Sequence, residues 1–312
     1  MPCAESQSIP ITRLVHRLSP TRKGGKGMAL FWFFCDESYD SDPAQERMVF
    51  HELGAAYVPA TYVVAGFFAD ELTWTDVEGR WSAENRRVGV SRYHAAEVNA
   101  FGDEFAGWEK DKQIAYSANL VKILTDQKRR LHAVSCGIFS REYEQIIGEG
   151  GRKKFGHPYI VCFKSCIAML AQEMEIRNFE PEDKFAVILG RNSLENEAIK
   201  VFTEMQDNPN WRFGRRLAFC ARGNWQDFVP LQTADLIAYE TFRLLHEKHK
   251  DDPKQARWAL RTMFPENGFL GHYYEAETLQ RIKEPLENAA CAPNGFVVVF
   301  PPVTDSTGEG RP

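Results

Sequence analysis

"ALFWFFCDESYDSD", residues 29–42, runs through bulky apolar residues and a cysteine, then turns without transition into two adjacent carboxylates and a serine. The apolar run 30–36 is bounded by turn residues, which predicts a short strand buried on both faces. Side chains alternate along a strand, so Asp36 shares a face with Trp32 and Phe34, and Glu37 follows Phe33 and Cys35. Asp36 is then the innermost acid, with Glu37 reaching in from the turn. The competing reading makes "DESYDSD" a solvated loop in which Asp36 and Ser38 form an Asx-type turn.

Working outward, "TYVVAGFFA" (61–69) predicts a second buried strand, and residues 71–86 a helix with Trp74, Val77 and Trp81 on one face. A helix is expected over 109–127, where Ile114, Ala118, Val121 and Leu124 recur at helical spacing, followed by a strand at 131–139. The rhythm continues with a helix over 157–177 (Phe163, Ile167, Leu170 and Met174 on one side), a strand at 185–190 and a helix from 193 to 206. A strand at 215–220 precedes a helix opening near Pro230, where proline suits the first turn. Residues 253–264 and 275–288 read as helical and 295–300 as a late strand. Helices alternating with strands indicate an α/β fold, which places ligands at strand ends, and Asp36 stands at such an end. With no repeat, linker or charge block between them, residues 29–300 read as a single domain, 1–28 as a flexible leader and 301–312 as a disordered tail.

The 312 residues are 44% hydrophobic and 12% aromatic, ample for a sizeable core, and no apolar run approaches the roughly eighteen residues that span a bilayer. A net charge of -5 argues against blanket adhesion to nucleic acid or anionic membrane and restricts any polyanion site to a local patch. The seven cysteines are scattered among apolar neighbours without a CxxC pair, as in the reduced core of a cytoplasmic protein. Cys162 and Cys166 share a helix face, yet "YIVCFKSCIAML" is the setting of a packed helix rather than of a metal ligand pair.

Three further stretches carry chemistry. In "VPLQTADLIAYETF" (229–242), Asp235 lies inside an apolar run, with Gln232 three residues earlier on the same helical face. A carboxylate in such company is costly unless paired, hydrogen-bonded or bound to metal. "SRYHAAEVNAF" (91–101) sets His94 three residues before Glu97, a spacing shared by ordinary surface pairs. "GEGGRKKFGHPY" (148–159) puts Arg152, Lys153 and Lys154 on a glycine-rich loop before a helix, a candidate phosphate grip that lacks the GK[ST] ending of a nucleoside triphosphatase loop. Arg212, Arg215, Arg216 and Arg222 interleave with Trp211 and Phe213 near the late strand, a second candidate for nucleic-acid contact.

"CDES", "YVVAGFFA" with its downstream tryptophans, "RYHAAEV" followed by "FAGW", and "LQTADLIAYE" stand in an order and spacing that resemble the domain-of-unknown-function family numbered 3800 over most of residues 30–245. The resemblance implies a ribonuclease H-like fold, a central mixed sheet flanked by helices, with clustered acids binding Mg²⁺ or Mn²⁺. It implies a nuclease-like hydrolase of phosphodiester bonds in DNA or RNA, since two such cations about 4 Å apart stabilise the attacking and leaving oxygens. Carried over by position, Asp36 bridges the metals, Glu37 binds one directly or through water, and Asp235 supplies a ligand from its helix. Gln232 orients Asp235 or holds a phosphate oxygen, while His94 and Glu97 contact the scissile group or relay a proton. One departure stands at "VILGRNSLENEAIKVF": where relatives end this strand with an acid, this chain has Gly190, Arg191 and Asn192. Glu195 or Glu197 would have to reach back to replace it. That departure keeps open a rival, a catalytically silent nucleic-acid-binding or assembly protein on the same scaffold.

Overall fold

Strand β1, Leu30–Tyr39, is the hub: it pairs antiparallel with β2, Thr61–Asp70, on one edge and parallel with β4, Lys184–Leu189, on the other. The structure is a computed structural model that describes residues 28–39, 61–248, 257–264 and 269–288. The remaining strands are β3, His132–Phe139, β5, Leu217–Arg222, and β6, Phe269–Tyr274. All six form one sheet in the order β5-β4-β1-β2-β3-β6. β2 is antiparallel to both neighbours and every other pairing is parallel, so β2 alone runs against the rest.

Helices cover both faces, because strands apolar on both sides leave no face that water can wet. On Asp36's side lie α1, Glu71–Val88, the short α2, Ala95–Ala100, and α3, Lys110–Asp126, together with α7, Pro230–Lys248, and α8, Trp258–Met263. They pack Trp74, Trp81, Tyr116 and Ile237 against Trp32 and Phe34. The opposite face carries α4, Ser140–Phe155, α5, Pro158–Ile176, α6, Glu195–Asp207, and α9, Ala276–Asn288. There Tyr143, Phe163, Ile167, Leu170 and Phe202 close over Phe33 and Cys35. This is the mixed sheet flanked by helices expected from the sequence, and it is consistent with a ribonuclease H-like α/β fold.

Two polar contacts anchor this frame. The Asp70 carboxylate accepts the Thr73 N–H (2.7 Å), so β2 passes into α1 without an intervening loop. The Trp74 indole N–H donates to the Trp32 carbonyl (3.0 Å), tying α1 to the hub strand.

Several expectations are corrected. Residues 140–155 form α4, so Arg152, Lys153 and Lys154 lie in the last turn of a helix rather than on a glycine-rich loop. The helix kinks at Gly148, whose φ of 65° is non-helical, and its first part is anchored by the buried Tyr143 and Ile147. In α3 Val121 and Leu124 are buried as expected, together with Gln113, Tyr116 and Leu120, whereas Ile114 is exposed. Gln113 takes the interior place at the start of the helix because it is satisfied there, its amide donating to the Val98 carbonyl (2.9 Å). β6 was not anticipated. The expected strand at 295–300, the tail 301–312, the leader up to residue 27 and residues 253–256 lie outside the described residues. Cys162 and Cys166 are fully buried under β2, with their thiols on the Tyr62 and Val64 carbonyls. Among the described residues no helix is long and apolar enough to cross a membrane.

The hub imposes one tight constraint. A Cβ added at Gly66 on β2 would stand 1.9 Å from the Phe34 carbonyl oxygen, a backbone atom that cannot turn aside. Gly66→Ala is therefore expected to cost about 3–5 kcal/mol, read as a lowered denaturation midpoint with unchanged denaturant slope.

Candidate active site

β4 stops short of the end of β1. Its last residue, Leu189, pairs with Cys35, and the Gly190 N–H closes the ladder on the Cys35 carbonyl (2.9 Å). Beyond that point Asp36, Glu37, Ser38 and Tyr39 remain paired to β2, opposite Ala65, Val64, Val63 and Tyr62. The opposite edge of this segment has no strand partner among the described residues. Asp36 and Glu37 thus lie within a strand, which replaces the solvated-loop reading and moves Glu37 from the turn onto the ladder. The alternation expected from the sequence holds: Asp36 lies on the face of Trp32 and Phe34, Glu37 on that of Phe33 and Cys35.

Asp235 reaches this strand end from α7. From Pro230 to Ala238 every residue of the helix is buried except Asp235, which is partly open. Its Oδ2 accepts the Ala95 N–H (2.6 Å) at the start of α2. Burial, then the charges of Glu37 and Asp235, push the Asp36 carboxyl well above the usual carboxylate range. Glu37 is pushed up to about 7, chiefly by burial, with the hydrogen bond from Asn192 pulling the other way. Asp235 is pushed up to about 6 by burial, against the pull of His94, the Ala95 N–H and Arg92. Two acids far apart in the chain therefore feel each other's charge across the end of β1. Among the described residues none of these three carboxylates has an ion-pair partner, since Arg92 and His94 turn to Glu97 and Arg222 to Glu195.

No protein-family model, curated protein or solved structure matches this chain. The reading of the site therefore stands on its own geometry. Partly buried, mutually repelling carboxylates that form no ion pair among the described residues, although the charges of His94 and Arg92 act on Asp235, offer the hard oxygen donors that a divalent cation takes. Among the described residues, no group of three or more His, Cys, Asp and Glu side chains is gathered as closely as a bound ion would hold its ligands.

The departure at Gly190 has a steric reason. A Cβ there would stand 2.1 Å from Asp36 Oδ1, so the Asp36 carboxylate fills the volume where a side chain at 190 would begin. No side chain, acidic or otherwise, fits at that position while Asp36 keeps its place. Two residues on, the Asn192 amide donates to Glu37 Oε2 (2.8 Å) and to the Tyr159 hydroxyl (3.1 Å), and its own oxygen accepts the Leu194 N–H (2.8 Å). Asn192 thereby holds Glu37, a role that sequence reasoning missed, although asparagine ahead of a helix is a recognisable capping signal. Glu195 does not reach back, because it pairs with Arg222 (3.0 Å). Glu197 lies on the far side, beside Gly156.

The other expected residues divide. Gln232 is 2% exposed, and its oxygen accepts from the Trp81 indole (3.0 Å), the Asn85 amide (3.0 Å) and the Tyr93 N–H (2.9 Å). Its amide nitrogen, the end that could donate to a phosphate oxygen, faces the Trp225 carbonyl (3.4 Å) in the buried interior instead. Gln232 and Asp235, one turn apart on α7, instead clamp the segment 93–95 by two backbone N–H groups and set His94 between them. Glu97 receives Arg92 (2.6 Å) and lies 3.1 Å from His94 Nδ1, while Arg92 stacks on Trp225 (4.4 Å). Arg152 and Lys153 pair with Glu144 and Glu149 on their own helix. Arg216 is buried and donates to the Phe179, Glu180 and Asp183 carbonyls, so it is a structural residue and no polyanion contact.

Gly190 tests the seat of Asp36. Gly190→Ala should lower stability by about 1–3 kcal/mol, and much of that loss should vanish when Asp36→Ala accompanies it. A double-mutant cycle in urea measures the coupling.

Proposed function

We propose that the protein is a divalent-metal-dependent phosphodiester hydrolase acting on DNA or RNA in the cytoplasm, as its resemblance to the domain-of-unknown-function family 3800 implies. The observation behind this reading is electrostatic: the charges of Glu37 and Asp235 act on Asp36, and that of Asp235 on Glu37, at the end of β1, and none of the three forms an ion pair among the described residues. Structural acids are normally neutralised by a nearby arginine or lysine, whereas a site prepared for a cation leaves them exposed to one another.

Asp36, Glu37 and Asp235 would hold Mg²⁺ or Mn²⁺. The metal supplies charge neutralisation for the phosphodiester oxygens and an acidified water. The chain's own groups do the remainder. Asn192 keeps Glu37 turned to the site, the Ala95 N–H orients Asp235, and Gly190 leaves room for Asp36. His94, 42% exposed at its side chain and backed by Glu97, stands at the rim, where an imidazole moves a proton to or from the scissile group.

Asp36→Asn and Asp235→Asn are expected to fold and to lose both saturable Mg²⁺ or Mn²⁺ binding and cleavage of labelled oligonucleotides, by at least a hundredfold in rate. Calorimetric titration and gel assays read the two losses. Retained cleavage in both variants would overturn the reading, and saturable metal binding by the wild type without any cleavage would favour the silent binding protein.

Because the three carboxyls titrate above their ordinary values, protons compete with the metal. Affinity should rise steeply between about pH 5 and pH 8, with proton release on binding. The metal-free fold should respond in the opposite sense. A carboxyl whose folded pKa is raised contributes stability that is complete below its unfolded value and lost as pH rises through its folded one. Glu37→Gln should accordingly stabilise the metal-free protein by about 1–2 kcal/mol near pH 8, and the gain should shrink toward pH 4.5 in denaturation curves.

A further inference from the structure

Two residues beyond Glu37, on the same face of β1, stands an aromatic side chain that the acidic site does not use. Tyr39 is 50% exposed, and its ring stacks on that of its cross-strand partner Tyr62 at 5.6 Å and 22°. Tyr62 in turn meets His157 edge-on at 4.9 Å and 84°. The platform is fixed from below: His157 caps α5, its Nδ1 accepting the Tyr159 N–H, and the Cys162 thiol sits on the Tyr62 carbonyl. Tyr159 also connects platform to site, since its hydroxyl shares the Asn192 amide with Glu37.

The surroundings carry both signs: Glu197, then Arg152 and Glu144, act electrostatically on His157, and the last turn of α4 carries Lys153 and Lys154 beside Arg152. The ion pairs that Arg152 and Lys153 make are with glutamates more than half exposed, so exchanging them for a phosphate costs little. An exposed ring on a braced aromatic stack is a platform on which the bases of single-stranded nucleic acid stack, and Arg152 and Lys153 are the cations that would meet its backbone once released from their glutamates. A duplex offers no such contact along its length, because each base face there is covered by its neighbours. Along the strand Tyr39 lies roughly 7 Å from Glu37, a gap that one nucleotide bridges.

We propose that Tyr39, seated on Tyr62, is a base-stacking subsite for an unpaired nucleotide next to the scissile phosphodiester, and that the substrate class is single-stranded nucleic acid. This rests on the hydrolase reading for its mention of a scissile bond, whereas the stacking contact itself does not.

The test is fluorescence anisotropy of a labelled single-stranded oligonucleotide and of its duplex, in EDTA so that nothing is cleaved. Wild type should prefer the single strand, Tyr39→Ala should weaken that binding about tenfold, and Tyr39→Phe should restore it. Asp36→Asn should retain the stacking contact, and Tyr39→Ala should leave the Mg²⁺ titration unchanged. Equal single-strand affinity in wild type and Tyr39→Ala would overturn the proposal, reducing the tyrosine pair to a cross-strand contact that supports only the sheet. So would absence of single-strand binding by wild type, or equal binding of the duplex. Tyr39-dependent binding combined with a complete lack of cleavage would keep the subsite and remove the hydrolase, so the two proposals fail separately.

Discussion

A central strand buried on both faces has to surface somewhere, and here it does so by outlasting its parallel neighbour. β4 ends at Leu189, β1 continues to Tyr39, and the residues between carry two carboxylates along an edge that has no strand partner among the described residues. Everything of functional interest follows from that mismatch in length. Asp36 and Glu37 stay partly exposed there, while the helices on both faces keep the local surroundings apolar enough to raise the acids' proton affinity.

Two glycines serve this arrangement in different ways. Gly66 lets β2 approach β1 against the Phe34 carbonyl and so supports the sheet. Gly190 gives its side-chain volume to the Asp36 carboxylate and so supports the site. Read along the chain, Gly190 looks like a ligand lost. In three dimensions it is the space that the Asp36 carboxylate fills. Asn192 takes up the position after it, where an amide that donates to Glu37 does what a further negative charge could not: it steadies a carboxylate without adding to the repulsion.

The helix α7 shows how one element serves fold and chemistry together. Gln232 and Asp235 are a turn apart and both accept backbone N–H groups from residues 93–95, at Tyr93 and Ala95. The fully buried, fully satisfied Gln232 gives rigidity, and the partly open Asp235 retains oxygen for something else. Trp81, Asn85 and, through Asn85, Tyr116 extend the polar network into α1 and α3, so the setting of His94 depends on side chains from three helices.

The amino-acid order by itself determined the α/β alternation, five of the six strands, and the alternation that separates Asp36 from Glu37 across the sheet, because these depend on periods of two and 3.6 residues that local sequence carries. It also singled out Asp235, since a carboxylate within an apolar helical run is conspicuous wherever the helix packs. It did not reveal α4, which is anchored by the buried Tyr143 and Ile147 and kinks at Gly148, nor that at the start of α3 a hydrogen-bonded Gln113 takes the interior place assigned to Ile114. Only the tertiary structure decided that Gly190 is filled by Asp36, that Asn192 holds Glu37, and that Tyr39 stacks on Tyr62 beside them. Each of these is a contact between segments more than twenty residues apart. Such contacts are set by which strands become neighbours and where each one stops, and no local pattern along the chain encodes either.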